Sequence, residues 1–125
     1  MTSPPLNQFA NENYLNLETY RKTGEPVLTP VWFAEENGVI YVYSLANAGK
    51  VKRIRNNPRV RIAPCDMGGK LKGEWVKAQA RILDEQEAAY GHRLLDRKYG
   101  LMKKAGNLFS KIMSRDRVVI SIQVE

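Results

Sequence analysis

Cysteine and histidine are almost missing from this chain: Cys65 and His92 are the only ones in 125 residues. A single cysteine cannot form an intramolecular disulfide, so a reducing compartment, the cytoplasm, is the expected setting. One cysteine and one histidine also fall short of a tetrahedral zinc site. No apolar run approaches the roughly 20 residues that a membrane span needs. The first residues, MTSPPLNQF, carry neither a basic n-region nor an apolar h-region, so no secretory signal is expected there. The most informative absence is local. No acidic residue lies between Glu36 and Asp66, and that interval holds Lys50, Lys52, Arg53, Arg55, Arg59 and Arg61. The whole chain nets +7, so nearly all of its excess charge sits in this one stretch.

What is present is ordinary for a soluble globular protein: 43% apolar and 26% charged residues. The length fits a single domain over 1–125 with a real core. The pI near 9.7 invites a nucleic-acid reading. Two features argue against it. The excess charge is local, and aromatic residues are not interleaved with it as a single-strand binder requires. No nucleic acid and no membrane are therefore expected as partners.

The periodicities give the order βββ-α-ββ-αα-β. Residues 1–12 read as a short arm with one helical turn at most. Tyr14 to Tyr20 alternates like a half-buried strand, and Lys22-Thr23-Gly24-Glu25 reads as a hairpin turn. Val27 to Ala34 is a second strand, with Val27, Thr29, Val31 and Phe33 on one face. Pro30 inside it implies an edge or a bulge. After the turn signal Glu36-Asn37-Gly38 comes a third strand, Val39 to Ser44. Ala48 to Asn57 reads as a short helix ending before Pro58. Arg59 to Pro64 and Trp75 to Leu83 are strands, joined by a turn at Met67-Gly68-Gly69-Lys70. A helix is expected over Asp84 to Tyr99, capped by Asp84 with Glu87 three residues on. Gly100 is expected to interrupt it before a second helix, Leu101 to Ser114. Val118 to Val124 closes the chain as a strand. Six alternating strands with few helices suggest a small closed or partly closed antiparallel barrel.

The link from the third strand to the first helix is a candidate phosphate cradle. Ser44 ends the strand and offers a hydroxyl. Ala46-Asn47-Ala48-Gly49 are small enough for close backbone approach, and Lys50 follows in the first helical turn. The first N–H groups of a helix lack intrahelical partners and favour an anion. On an ideal helical wheel Val51 and Ile54 face the barrel. Lys50 and Arg55 flank that face, while Lys52 and Arg53 point away. A solvated helix face is the alternative, but such faces usually mix signs, and this one does not.

The string from Thr19 to Trp75 resembles the pyridoxamine 5′-phosphate oxidase-like split β-barrel proteins that bind flavins or deazaflavins, above all their deazaflavin (coenzyme F420)-dependent subgroup. The resemblance is carried by Gly24 with Thr29-Pro30-Val31-Trp32, by Gly49-Lys50-Val51-Lys52-Arg53, by Asn57-Pro58-Arg59-Val60 and by Ala63-Pro64-Cys65-Asp66. It covers roughly residues 13–84. It implies a mainly β (α+β) fold: a six-stranded antiparallel split β-barrel of FMN-binding type with flanking short helices. It also implies a homodimer with cofactor sites at the subunit interface. By resemblance Lys50 and Lys52 hold the cofactor phosphate with Gly49 and Ser44 close by, and Thr29, Pro30, Val31 and Trp32 lie along the ring. The implied cofactor is coenzyme F420 or FMN. The surplus over one phosphate, Arg53, Arg55, Arg59 and Arg61, favours the longer acidic tail of the deazaflavin.

The implied activity is hydride transfer between bound cofactor and a small substrate, with no catalytic side chain demanded. A binding or carrier protein for flavin, deazaflavin or a haem-like ligand is the alternative. Pyridoxamine-phosphate oxidases proper carry an Arg/Trp-rich C-terminal segment, and the sequence Ser121-Ile122-Gln123-Val124-Glu125 does not match it. Trp32 is expected either to stack on the ring or to plug the barrel. Trp75 reads as structural, with capping of a neighbouring subunit's site as the other role. His92 reads as a partly exposed helix residue and Cys65 as a small apolar side chain.

Overall fold

A computed structural model describes residues 4–105 and 117–125. Its elements are α1 (Pro4–Asn7), β1 (Tyr14–Tyr20), β2 (Pro26–Glu36), β3 (Val39–Leu45), α2 (Gly49–Asn56), β4 (Arg59–Cys65), β5 (Val76–Ile82), α3 (Glu85–Ala105) and β6 (Arg117–Val124). The six strands close into a barrel in the order β1-β2-β3-β6-β5-β4, every pair antiparallel. Tight turns make the first two links. Gly24 sits at φ +90° in the first, and Asn37 and Gly38 take φ 54° and 82° in the second. Two successive positive φ values give a turn whose twist suits a hairpin.

Strand alternation divides the side chains between two cores. Leu15, Leu17, Phe33, Ile40, Val42, Ile62, Ile120 and Ile122 fill the barrel interior. Leu6 and Phe9 of the N-terminal arm join them, with Phe9 edge-on to Phe33 at 5.8 Å, so the arm plugs the barrel. Val51 and Ile54 of α2 are buried in the same core. The second core lies outside the barrel wall, where Leu94, Leu95 and Tyr99 of α3 cover Ala34, Tyr43 and Val119.

The helix α3 begins at the expected capping box: the Glu87 amide donates to Asp84 Oδ1 at 2.8 Å, and the Asp84 amide donates to Glu87 Oε1 at 3.4 Å. The expected interruption at Gly100 does not occur; α3 runs on to Ala105. A glycine in a helix costs only about 1 kcal/mol relative to alanine, less than the packing of this helix supplies. The rest of the expected second helix, 106–114, lies outside the described residues.

The barrel is not evenly stitched. The strand β2 pairs with β1 over Pro26–Trp32 in unbroken register, and with β3 only over Phe33–Glu36. Beyond Val42, β3 pairs with β6 alone. A split therefore opens between the first half of β2 and the end of β3. Pro30 sits on this unpaired edge with no bulge, where a missing N–H costs no ladder bond on the open side.

Candidate functional site

The split places two things side by side: the free edge of β2 from Pro26 to Trp32, and the start of α2, which leaves the end of β3. Ala48 occupies the helix N-cap and has no side-chain oxygen to offer, and no acid lies in the first turn. The Val51 amide already donates to the Ala48 carbonyl at 3.1 Å, so the amides of Gly49 and Lys50 are the ones left for another acceptor. Lys50 is half-buried at that turn. Burial and the neighbouring Arg53 charge hold its amine below the usual lysine range. The geometry also brings in a residue that the helical wheel sends away. The Arg53 side chain folds back along the helix, with its Nε donating to Thr19 Oγ1 at 2.7 Å. Its Nη1 lies 2.8 Å from where a Cβ on Gly49 would stand. An ideal wheel carries direction at Cβ only; a guanidinium reaches several bonds further, which is why periodicity does not reveal this placement.

The other candidates divide clearly. Lys52 is exposed on the solvent side of α2. Ser44 is buried, and its hydroxyl donates to the Leu45 carbonyl at 3.0 Å. Along β2, Thr29 and Val31 point into the barrel while Pro30 and Trp32 point outward. Their backbone groups alternate as well: Pro30 and Trp32 turn theirs to the open side of β2, Thr29 and Val31 turn theirs to β1. From Val27, which pairs with Thr19, to Trp32 that edge runs about 17 Å at strand rise. Trp32 does not plug the barrel. It lies against the outer wall, stacked on Tyr99 at 4.7 Å and 8° and tilted to Tyr14 at 6.3 Å.

Not every cation of the acid-free stretch is available. Arg61 makes a bidentate pair with Glu18, at 2.6 Å from Nε and 2.9 Å from Nη2, and its guanidinium lies 5.1 Å from the Trp75 ring centroid. Its charge is therefore spent, and the surplus shrinks to Arg53, Arg55 and Arg59. Trp75 has a structural contact of its own in that stack. Cys65 is buried, and burial pushes its thiol up to about 11, which leaves it unreactive at neutral pH. The ring of His92 tilts against Tyr43 at 5.1 Å under α3, away from the free edge. Two grooves of about 460 and 560 Å³ lie elsewhere, one lined by Tyr41, Gln79 and Ser121, the other by Gln8, Trp75 and Val124. Neither contains Lys50. A shallow edge site can be chemically specific without being the deepest hollow of a lone chain.

A six-stranded barrel split along one edge, with a cationic helix start beside the split, is the split-barrel class of the flavin-binding proteins. Residues 5–125 match the family described as pyridoxamine 5′-phosphate oxidase. The chain belongs to that family. Solved structures of the same fold include an F420 reductase, 19% identical over 100% of this chain and 96% of the other, with a TM-score of 0.63. A FAD-binding protein from Mesorhizobium loti is 18% identical over 100% and 91%, with a TM-score of 0.68. The haem storage protein HutZ from Vibrio cholerae is 16% identical over 100% and 92%, with a TM-score of 0.68. At these identities the likeness is one of fold. No curated protein matches the sequence significantly.

Proposed function

We propose that this protein binds FMN or the deazaflavin coenzyme F420 along the free edge of β2 and acts as an oxidoreductase on a small substrate. One observation carries the reading: Lys50 and Arg53 stand together at the start of α2, and among the described residues no carboxylate counters either. A phosphate would relieve that repulsion and receive the uncapped amides of α2. The residues fit the group. Lys50 and Gly49 take the phosphate. The Pro30 carbonyl and the Trp32 N–H and carbonyl, on the open side of β2, offer hydrogen bonds to ring heteroatoms, and the Trp32 ring, braced by Tyr99, closes the far end. A bound flavin or deazaflavin would supply hydride transfer to an electron-poor double bond. The protein's part is to orient the ring, exclude water and hold the anionic end.

The rest of the reading is a homodimer in the cytoplasm, with the interface beside the split. With Arg61 paired to Glu18, Arg55 and Arg59, both exposed, are the cations left for a longer acidic tail. FMN and deazaflavin therefore compete on nearly equal terms.

The test is a fluorescence titration of purified protein with FMN, F420 and riboflavin. Micromolar or tighter binding of FMN or F420 is expected, and Lys50→Ala should weaken it by roughly 1.5–3 kcal/mol, the range for a hydrogen bond to a charged group. If neither cofactor binds in the micromolar range, the reading fails. Turnover separates an enzyme from a carrier: reduced, bound cofactor should be reoxidised by an electron-poor alkene faster than free cofactor is, whereas a carrier shows no acceleration.

A further inference from the structure

Lys50 alone gives the anion site one charge, and the sequence motif offers Lys52 as the second. The geometry points instead to Arg53: we propose that it is the second cation of the site in this chain, a specificity residue that selects ligands ending in a doubly charged phosphate. This rests on the cofactor reading above for the identity of the whole ligand.

Any side chain at Gly49 would meet the Arg53 guanidinium, at 2.8 Å from Nη1 and 3.5 Å from Cζ. The guanidinium thus lies across the residue next to Lys50. It is held there by a single directional bond from Nε to Thr19 Oγ1, at 2.7 Å. Thr19 is itself almost fully buried on β1, so the anchor is rigid. A guanidinium has five donors, and this bond uses one. Among the described residues no other hydrogen-bond partner of Arg53 is found, which leaves its fork free for a planar or tetrahedral oxyanion.

The charge environment agrees. Burial and Arg53 lower the affinity of Lys50 for its proton, and burial and Arg21 do the same for Arg53. Arg21 has its own exposed partner, Glu25, at 3.6 Å. Two cations held together without a carboxylate are a standing electrostatic cost. A dianion removes the cost at both, whereas a neutral ligand end removes it at neither. Among the described residues Lys52 makes no comparable contact, and it is exposed to solvent, where its charge is screened.

A purely mechanical role, tying α2 to β1, is the competing account, and the ratio of FMN to riboflavin affinity separates the two because only the phosphate differs. Arg53→Gln should weaken FMN at least tenfold and leave riboflavin within twofold. Gly49→Ala keeps every charge but displaces the guanidinium, so it should weaken FMN in the same direction. Lys52→Gln should stay within twofold for both. Inorganic pyrophosphate, measured by calorimetry, supplies a readout free of any ring, and Arg53→Gln should weaken it as well. If pyrophosphate binding depends on Arg53 while FMN and F420 do not bind, the cofactor reading falls and the anion subsite stands. If FMN binds and Arg53→Gln leaves it unchanged, or Lys52→Gln costs as much as Arg53→Gln, the inference falls and the cofactor reading stands. If neither FMN nor pyrophosphate binds the wild-type protein, both fall.

Discussion

At the scale of the residue, the most consequential acid is Glu18, only 4% exposed although it points out of the barrel. Its carboxylate accepts both hydrogen bonds from Arg61 and one from the Tyr20 hydroxyl at 2.5 Å. The Arg61 bond, more than any other factor, holds its carboxyl below the ordinary value of 4.5, against the opposing pull of burial. A depressed carboxyl pKa stabilises the fold above the unfolded value, and that contribution is lost as pH falls through the folded one. The urea midpoint of the wild-type protein should therefore drop more steeply than that of Glu18→Gln as pH goes from 5 toward 3. The Arg61 side chain is 40% exposed, so solvent screening keeps the difference modest. Parallel pH profiles for the two proteins would show that the pair contributes nothing. This pairing also shows the limit of reading charge from sequence. Glu18 and Arg61 are 43 positions apart, and nothing local in the acid-free stretch reveals that one of its cations is already neutralised.

At the scale of the element, α3 does more than cover the barrel. The Tyr99 hydroxyl enters the end of the β1–β2 ladder, where Asn13 would otherwise have faced Phe33. It accepts from the Phe33 amide at 3.0 Å and reaches the carbonyls of Phe33 and Asn13 at 2.6 and 2.7 Å. Lys98 adds a second tie, from its amine to the carbonyls of Phe33 and Glu12. Burial of that amine lowers its pKa to about 8 while the stem stays exposed. Tyr99→Phe removes the bridge and leaves a buried Phe33 N–H unpaired, which should cost about 1–3 kcal/mol. Urea unfolding measures it as a lower midpoint with unchanged slope; a loss under about 0.5 kcal/mol would mean water or β3 replaces the hydroxyl. The element itself was readable, since Asp84 and Glu87 announce its start. Its end was not, because a lone glycine is weak punctuation when a long apolar face is docked. Its partner strand was not readable either: no spacing says that Tyr99 meets a residue 66 positions earlier.

At the scale of the whole molecule, alternation made the six strands legible to within a residue or two, since period two survives wherever one face is buried. The closing order is different in kind. Pairing β1 with β4 and β3 with β6 joins segments far apart in the chain, and only three-dimensional closure decides it. The split follows from that order, and so does the surface beside it. Leu28 at 52% exposure, Met67 at 73% and Leu71 at 43% are apolar side chains left in solvent. The turn carrying Met67 packs onto the edge strand, with Gly69 against Pro30 and its carbonyl accepting from Asn16 Nδ2 at 2.9 Å. We propose that these apolar side chains, beside an unpaired strand edge, are where a second copy docks. It would cover them and deepen the proposed cofactor edge. Light scattering on a sizing column should then give twice the 14.3 kDa chain mass. Leu28→Glu with Met67→Lys should shift it to the monomer and weaken FMN together. A wild-type monomer at tens of micromolar would overturn the dimer, and a monomeric double variant with unchanged FMN affinity would show that one chain holds the whole site.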